Sequence, residues 1–217
     1  FGKARVALSG VYPPTHRFNI ITKENLDNLD GDVVRLQGYP TDFEVIEVVQ
    51  SELSEVIDAS GAPNFLRSPV VTDKIAVHWR LGDYLNNPFH GVVTLDSLVE
   101  GLGALDPDWR SKTVEVFSDS PKIVRSAVVT SRLGKISSVS NDIWSDLYQM
   151  SSSAGFLGNH SGVSLWVAFG MLSENRDSSI VLPKFWFAGE SSEFGVIPSQ
   201  KMSEKMVWDA KFAMSPF

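Results

Sequence analysis

The chain has 217 residues, 43% of them hydrophobic and 21% charged, with a net charge of −7 and no cysteine. That balance suits a soluble globular chain of one domain, or one and a fraction, while an acidic total with no Lys/Arg cluster excludes nucleic acid as the main partner. The missing thiols exclude disulfides and cysteine-held metals. No apolar run spans a bilayer and the first residues are not signal-like; with the absence of cysteine, the expectation is a cytoplasmic protein, and a peripheral membrane association stays open.

Residues 1–60 carry mixed signals. Arg5–Leu8 reads as a strand broken by Tyr12-Pro13-Pro14-Thr15, Thr22–Leu29 as a short helix, and Val33–Gln37 as a second strand. Thr41-Asp42-Phe43-Glu44 has capping-box spacing. Phe43, Ile46, Val49, Leu53 and Val56 follow at helical intervals, predicting a helix of about four turns. Ser60-Gly61-Ala62-Pro63-Asn64 closes that segment and marks the junction to the main domain.

From Ile75 the pattern becomes regular. A strand over 75–79 leads to a helix from Leu95, with Leu95, Leu98, Val99 and Leu102 on one face. A strand over 114–118 leads to a helix over 122–131, and Lys135–Val139 reads as a strand before a helix over 142–151. A strand over 155–158 leads to a helix over 163–172, and Ile180–Leu182 is a strand stopped by Pro183. Strands alternating with helices at this spacing predict a parallel sheet covered on both faces. Residues 61–190 are thus read as the main α/β domain, and 191–217 as an irregular extension with one short helix at 202–209.

Ligands of open parallel sheets bind beyond the carboxyl ends of the strands. Three polar clusters fall there: His78, Arg80 and Asp83; Ser118-Asp119-Ser120; and Asn159-His160-Ser161-Gly162-Val163-Ser164. Arg80 offers a fixed fork of donors suited to phosphate, and Ser161-Gly162 opens a helix whose free N–H groups also suit an anion. The plainer alternatives are an Arg80–Asp83 surface pair, an N-cap at Ser161 and an ordinary helix start at Ser118-Asp119-Ser120-Pro121. The histidines at 16, 78, 90 and 160 lack metal spacing, no metal or organic cofactor is expected, and no G-x-G-x-x-G or Walker sequence occurs. Asn159-His160-Ser161 matches a glycosylation sequon, a chance match between a buried strand and a helix.

Taken in order, V-H-W-R-L-G-D-Y, H-G-V-V-T-L-D, V-F-S-D-S-P, D-L-Y-Q-M-S, N-H-S-G-V-S-L-W-V-A and L-P-K-F-W-F resemble the bacterial α1,2-fucosyltransferase family, within the superfamily that shares an H-x-R-R-G-D-type motif. The resemblance runs from Leu36 to Phe187. It implies the C-terminal, Rossmann-like domain of a GT-B-type glycosyltransferase that is inverting, metal-independent and supplied by GDP-fucose. The implied acceptor is a galactose-terminated glycan. By motif match Arg80 contacts the donor pyrophosphate, His78 lines the nucleotide pocket, Asp146 reads the guanine edge, and Ser161, Gly162, Val163 and Ser164 form the phosphate-contacting turn. Asp119 belongs to the second motif.

The departures from the pattern are specific. Leu81 replaces the second arginine, N-H-S-G-V-S-L-W loosens the family's N-S-S-F-S-W-W, and the glycine-rich G-G-L-G-N-Q loop is missing. The chain is therefore expected either to lack the N-terminal half, with 1–60 as its remnant and crossover, or to be a shortened relative. Inversion calls for a base or an orienting group at the acceptor hydroxyl, and Asp83 and His90 both remain open for that role. Two other readings stand beside this one: a non-catalytic GDP-sugar-binding relic, and a GT-B transferase for another nucleotide sugar.

Overall fold

A computed structural model describes residues 5–6, 33–34, 43–67, 71–133, 136–139, 142–173, 179–184 and 207–217. Arg5–Val6 (β1) and Val33–Val34 (β2) pair in parallel. The predicted helix at the junction is Phe43–Ser60 (α1), 18 residues long and so about a turn longer than expected, ending at Gly61 with φ 73°. The rest of the Arg5–Leu8 and Val33–Gln37 strands, the Thr22–Leu29 helix and Thr41 lie outside the described residues.

The main domain follows as Thr72–His78 (β3), Val92–Val93 (β4), Leu95–Leu105 (α2), Val114–Phe117 (β5), Pro121–Val124 (α3), Ala127–Leu133 (α4), Ile136–Val139 (β6), Ile143–Ser151 (α5), Ser153–Leu157 (β7), Gly162–Ser173 (α6) and Ser179–Pro183 (β8). Val207–Trp208 (β9) and Phe212–Ala213 (β10) complete it. The single helix expected over 122–131 is two, because the chain leaves the helix at Arg125–Ser126 and restarts at Ala127. The short helix expected at 202–209 is corrected: Val207–Trp208 is a strand, since pairing with Leu182 and Pro183 in the sheet gives this β-branched and aromatic pair a ladder and buries Trp208.

The six-stranded sheet runs β6-β5-β3-β7-β8-β9 with every neighbouring pair parallel. Counting β3 as the first strand and β5, β6, β7, β8 and β9 as the second to sixth, the spatial order is 3-2-1-4-5-6. That is the doubly wound Rossmann order, which reverses between its first and fourth strands. Here the reversal falls between β3 and β7.

Alternation along the strands fills two cores. Ile75, Val77, Val114, Val116, Leu157 and Val181 face α2, α3 and α4, together with Leu98, Leu102, Val124 and Val129. Ala76, Phe117, Phe156, Ile180 and Leu182 face α5 and α6, with Ile57 of α1 in the same cluster. Near-continuous apolar strands are what a sheet buried on both faces requires. Two helix starts are capped by side chains: Thr94 accepts from the Ser97 N–H at the head of α2, and Asp142 accepts from the Trp144 and Ser145 N–H groups at the head of α5.

Candidate functional site

β3 delivers its last residue, His78, to the carboxyl edge, and the loop that follows is pinned on both sides of Arg80. Trp79 is fully buried and its Nε1 donates to the Val93 carbonyl at 2.8 Å. Leu81 is also fully buried, packed in the α2-side core. With both neighbours pulled inward, the Arg80 side chain projects outward and stays about one-third exposed (36%). Leu81 is thus a core residue, which leaves Arg80 as the guanidinium presented by this loop at the edge of β3.

Asp119, from the end of β5, ties the loop down. One oxygen, Oδ1, accepts the backbone N–H of Leu81 and of Gly82, each at 3.0 Å, while Oδ2 pairs with Arg80 Nη1 at 3.0 Å. Gly82 is required by this approach, because a Cβ there would stand 2.3 Å from Asp119 Oδ2. Asp119 is therefore a loop clamp and not a helix cap. On the other flank, Asp83 Oδ1 accepts from Arg80 Nε at 2.9 Å and Nη2 at 2.8 Å. The guanidinium carbon lies 5.8 Å from the Tyr84 ring centre. Two carboxylates and an aromatic face hold the fork in one orientation.

Across the switch point, the turn after β7 is bound to the same loop. Asn159 Nδ2 donates to the Arg80 carbonyl at 3.3 Å. Ser161 caps α6, its Oγ accepting from the Ser164 N–H at 3.4 Å. Ser164 Oγ accepts the Asn159 N–H at 2.8 Å and lies 2.7 Å from His78 Nδ1, with Ser161 Oγ at 3.3 Å from that same nitrogen. Burial, reinforced by the Arg80 charge and opposed by Asp119, lowers the His78 pKa to about 4. The imidazole is neutral near pH 7. Gly162, the first residue of α6, has open space where a side chain would be, so a ligand can approach the helix start closely.

The structure brings His78, Arg80, Asp83, Asp119, Ser161 and Ser164 together, and Gly162 and Val163 open α6 beside them. Asn159 is buried, which fits the reading of its sequon as chance. Asp146 lies in the first turn of α5, partly buried, on the helix that follows β6 rather than at the β3–β7 crevice. His90 stacks flat on Tyr84, with ring centres 4.3 Å apart, and burial lowers its pKa against the pull of Asp83. Sequence reasoning gave no role to Tyr84, which touches Arg80, His90 and His160, nor to His160 itself, which is buried beside Tyr84 and Phe212 with a pKa lowered to about 3, chiefly by burial. Period and spacing carry no signal for ring-on-ring contacts between distant segments.

Among the described residues no cluster of histidines and carboxylates has the geometry of a metal site, and no helix is long and apolar enough to cross a membrane. No protein-family model matches the chain, and a search of curated proteins finds no match either.

Proposed function

We propose that the β3–β7 crevice binds the diphosphate of a nucleotide sugar, and that the chain is a fucosyltransferase-like enzyme moving fucose from GDP-fucose to a glycan hydroxyl. One observation carries the reading. A fixed arginine fork, a neutral histidine and an open Ser-Gly helix start stand on the two sides of the switch point of a Rossmann-ordered sheet. That arrangement suits a ligand carrying negative charge on phosphate oxygens, and the ordered motifs from Val77 to Phe187 support fucose as the sugar.

In the proposed reaction the bond from fucose C1 to the diphosphate breaks as the acceptor oxygen attacks the opposite face. Charge grows on the departing GDP, so donors aimed at its oxygens act most strongly in the transition state. Arg80 and the first N–H groups of α6 supply them. The acceptor proton passes to Asp83, whose carboxylate is two-thirds exposed (66%) beside Arg80, whereas His90 is held in a ring stack. The motif match alone assigns the guanine edge to Asp146, which stands on α5 outside the β3–β7 crevice, and no metal takes part.

One observation favours a second reading, a GDP-sugar-binding module without turnover: Arg80 is already paired with both Asp83 and Asp119. Calorimetry with GDP, UDP and CMP, followed by GDP-fucose hydrolysis and transfer assays, separates the readings. Under the transferase reading Arg80→Ala and Arg80→Lys each lower turnover by roughly 10²–10³-fold, since a point charge does not replace the fork, while the thermal midpoint moves little. Normal GDP-fucose turnover by a folded Arg80→Ala protein ends this reading of the loop. GDP binding without turnover selects the module.

A further inference from the structure

Residues 208–217 come back over the loops that carry the crevice. The Lys211 carbonyl accepts from the Thr94 N–H at 3.2 Å, the Met214 carbonyl from Asn86 at 3.1 Å and the Pro216 carbonyl from Leu95 at 2.9 Å. Lys211 N–H donates to Ser97 Oγ at 2.9 Å, and β10 pairs antiparallel with β4 through Phe212–Val93 and Ala213–Val92. The segment thus satisfies donors along 86–97, including Leu95 at the head of α2. Backbone bonds of this kind fix the path of the segment and leave its side chains set in place.

The side chain so placed is Phe212. Its ring meets His160 edge-on, with centres 4.6 Å apart and planes at 77°. On its other side His160 leans on Tyr84, at 4.8 Å, and Tyr84 Oη donates to the His160 carbonyl at 3.2 Å. Tyr84 belongs to the Arg80 loop, and His160 directly precedes Ser161. The row Phe212–His160–Tyr84 therefore spans both walls of the crevice.

We propose that Phe212 is a positioning residue, backing His160 so that the Arg80 loop and the head of α6 keep one spacing. The link to ligand rests on the nucleotide-sugar reading, whereas the link to loop order does not. In a packed cluster of rings, removal of the terminal member gives His160 room to turn, and the Tyr84 contact loosens with it. The effect reaches Arg80 and Ser161 through backbone position.

The test is amide hydrogen exchange on the full chain, with and without GDP, for wild type, Phe212→Ala and Phe212→Leu. In Phe212→Ala, exchange over 81–85 and 159–162 rises by about tenfold, while the β5 and β7 amides keep their protection. GDP affinity measured well below the thermal midpoint weakens by about tenfold as well. Phe212→Leu keeps apolar volume without the ring edge and shows a smaller rise in the same two segments, and it decides the matter if the alanine variant does not fold. A fall in thermal midpoint with exchange unchanged in both segments overturns the proposal and leaves Phe212 as packing only. Failure of the wild type to bind GDP overturns the nucleotide reading instead, and the exchange pattern still decides the role of Phe212.

Discussion

Gly82 and Asp119 form a pair whose coupling can be worked out from the geometry. The Asp119 carboxylate makes three contacts at 3.0 Å: two backbone N–H groups through Oδ1 and Arg80 Nη1 through Oδ2. Hydrogen bonds to a charged group contribute about 1.5–3 kcal/mol each when buried, but this carboxylate is about one-quarter exposed (26%), so the low end applies. The ion pair adds no more than about 1 kcal/mol at such exposure. Asp119→Ala is expected to cost about 2–4 kcal/mol. Gly82→Ala brings a Cβ to 2.3 Å from Oδ2 and 2.9 Å from Cγ, so the carboxylate must swing away and lose much of the same set. Its expected cost is about 1–3 kcal/mol, and in an Asp119→Ala background the contacts at 2.3 and 2.9 Å are gone, so the same methyl costs almost nothing. The coupling energy from a double-mutant cycle in urea, read at constant m, is then about 1–3 kcal/mol. Additivity within about 0.5 kcal/mol would refute the clamp.

His78 and His160 are buried neutral, with pKa values lowered to about 4 and about 3. The unfolded chain therefore binds their protons first, so stability is full above about pH 6.5 and falls as the pH drops towards 4, a loss that acid titration of the unfolding free energy measures and that His78→Gln reduces. Gly170→Ala places a Cβ 2.8 Å from the Phe65 backbone oxygen, which cannot yield as a side-chain tip would; despite the better helix propensity of alanine, a net loss of about 1–2 kcal/mol is expected in the same urea assay. Under the proposed function, GDP is expected to bind at least about tenfold more tightly than UDP, a gap of about 1.4 kcal/mol that Asp146→Ala should erase, and calorimetry showing equal wild-type affinities removes Asp146 from the guanine edge. Under the same proposal, donor binding and turnover are expected to survive a chelator, and loss of either on treatment would count against a metal-free site.

How much was legible in the chain follows from the range of the forces involved. Apolar period acts over a few neighbours, so Leu95, Leu98 and Leu102 announced their helix, and the run from Ile75 to Pro183 showed alternating strands and helices without any partner being known. The carboxyl-edge rule then placed His78, Arg80, Asp119 and Ser161 on one rim before any coordinates. Strand order was not determined locally. That β3 lies between β5 and β7, making their gap the switch point, depends on which strand edges bury most surface when the whole sheet closes. The same holds for Val207–Trp208, whose short pattern admits helix or strand until β8 offers it a ladder. Leu81 reads in the sequence as an apolar residue beside Arg80, but only packing shows it fully buried and turning Arg80 outward. The joining of Tyr84, His160 and Phe212 was likewise beyond reach, because their contacts link segments far apart in the chain and rings carry no periodic mark. Local chemistry was thus determined by the order of residues, and the tertiary structure alone decided which of those residues meet.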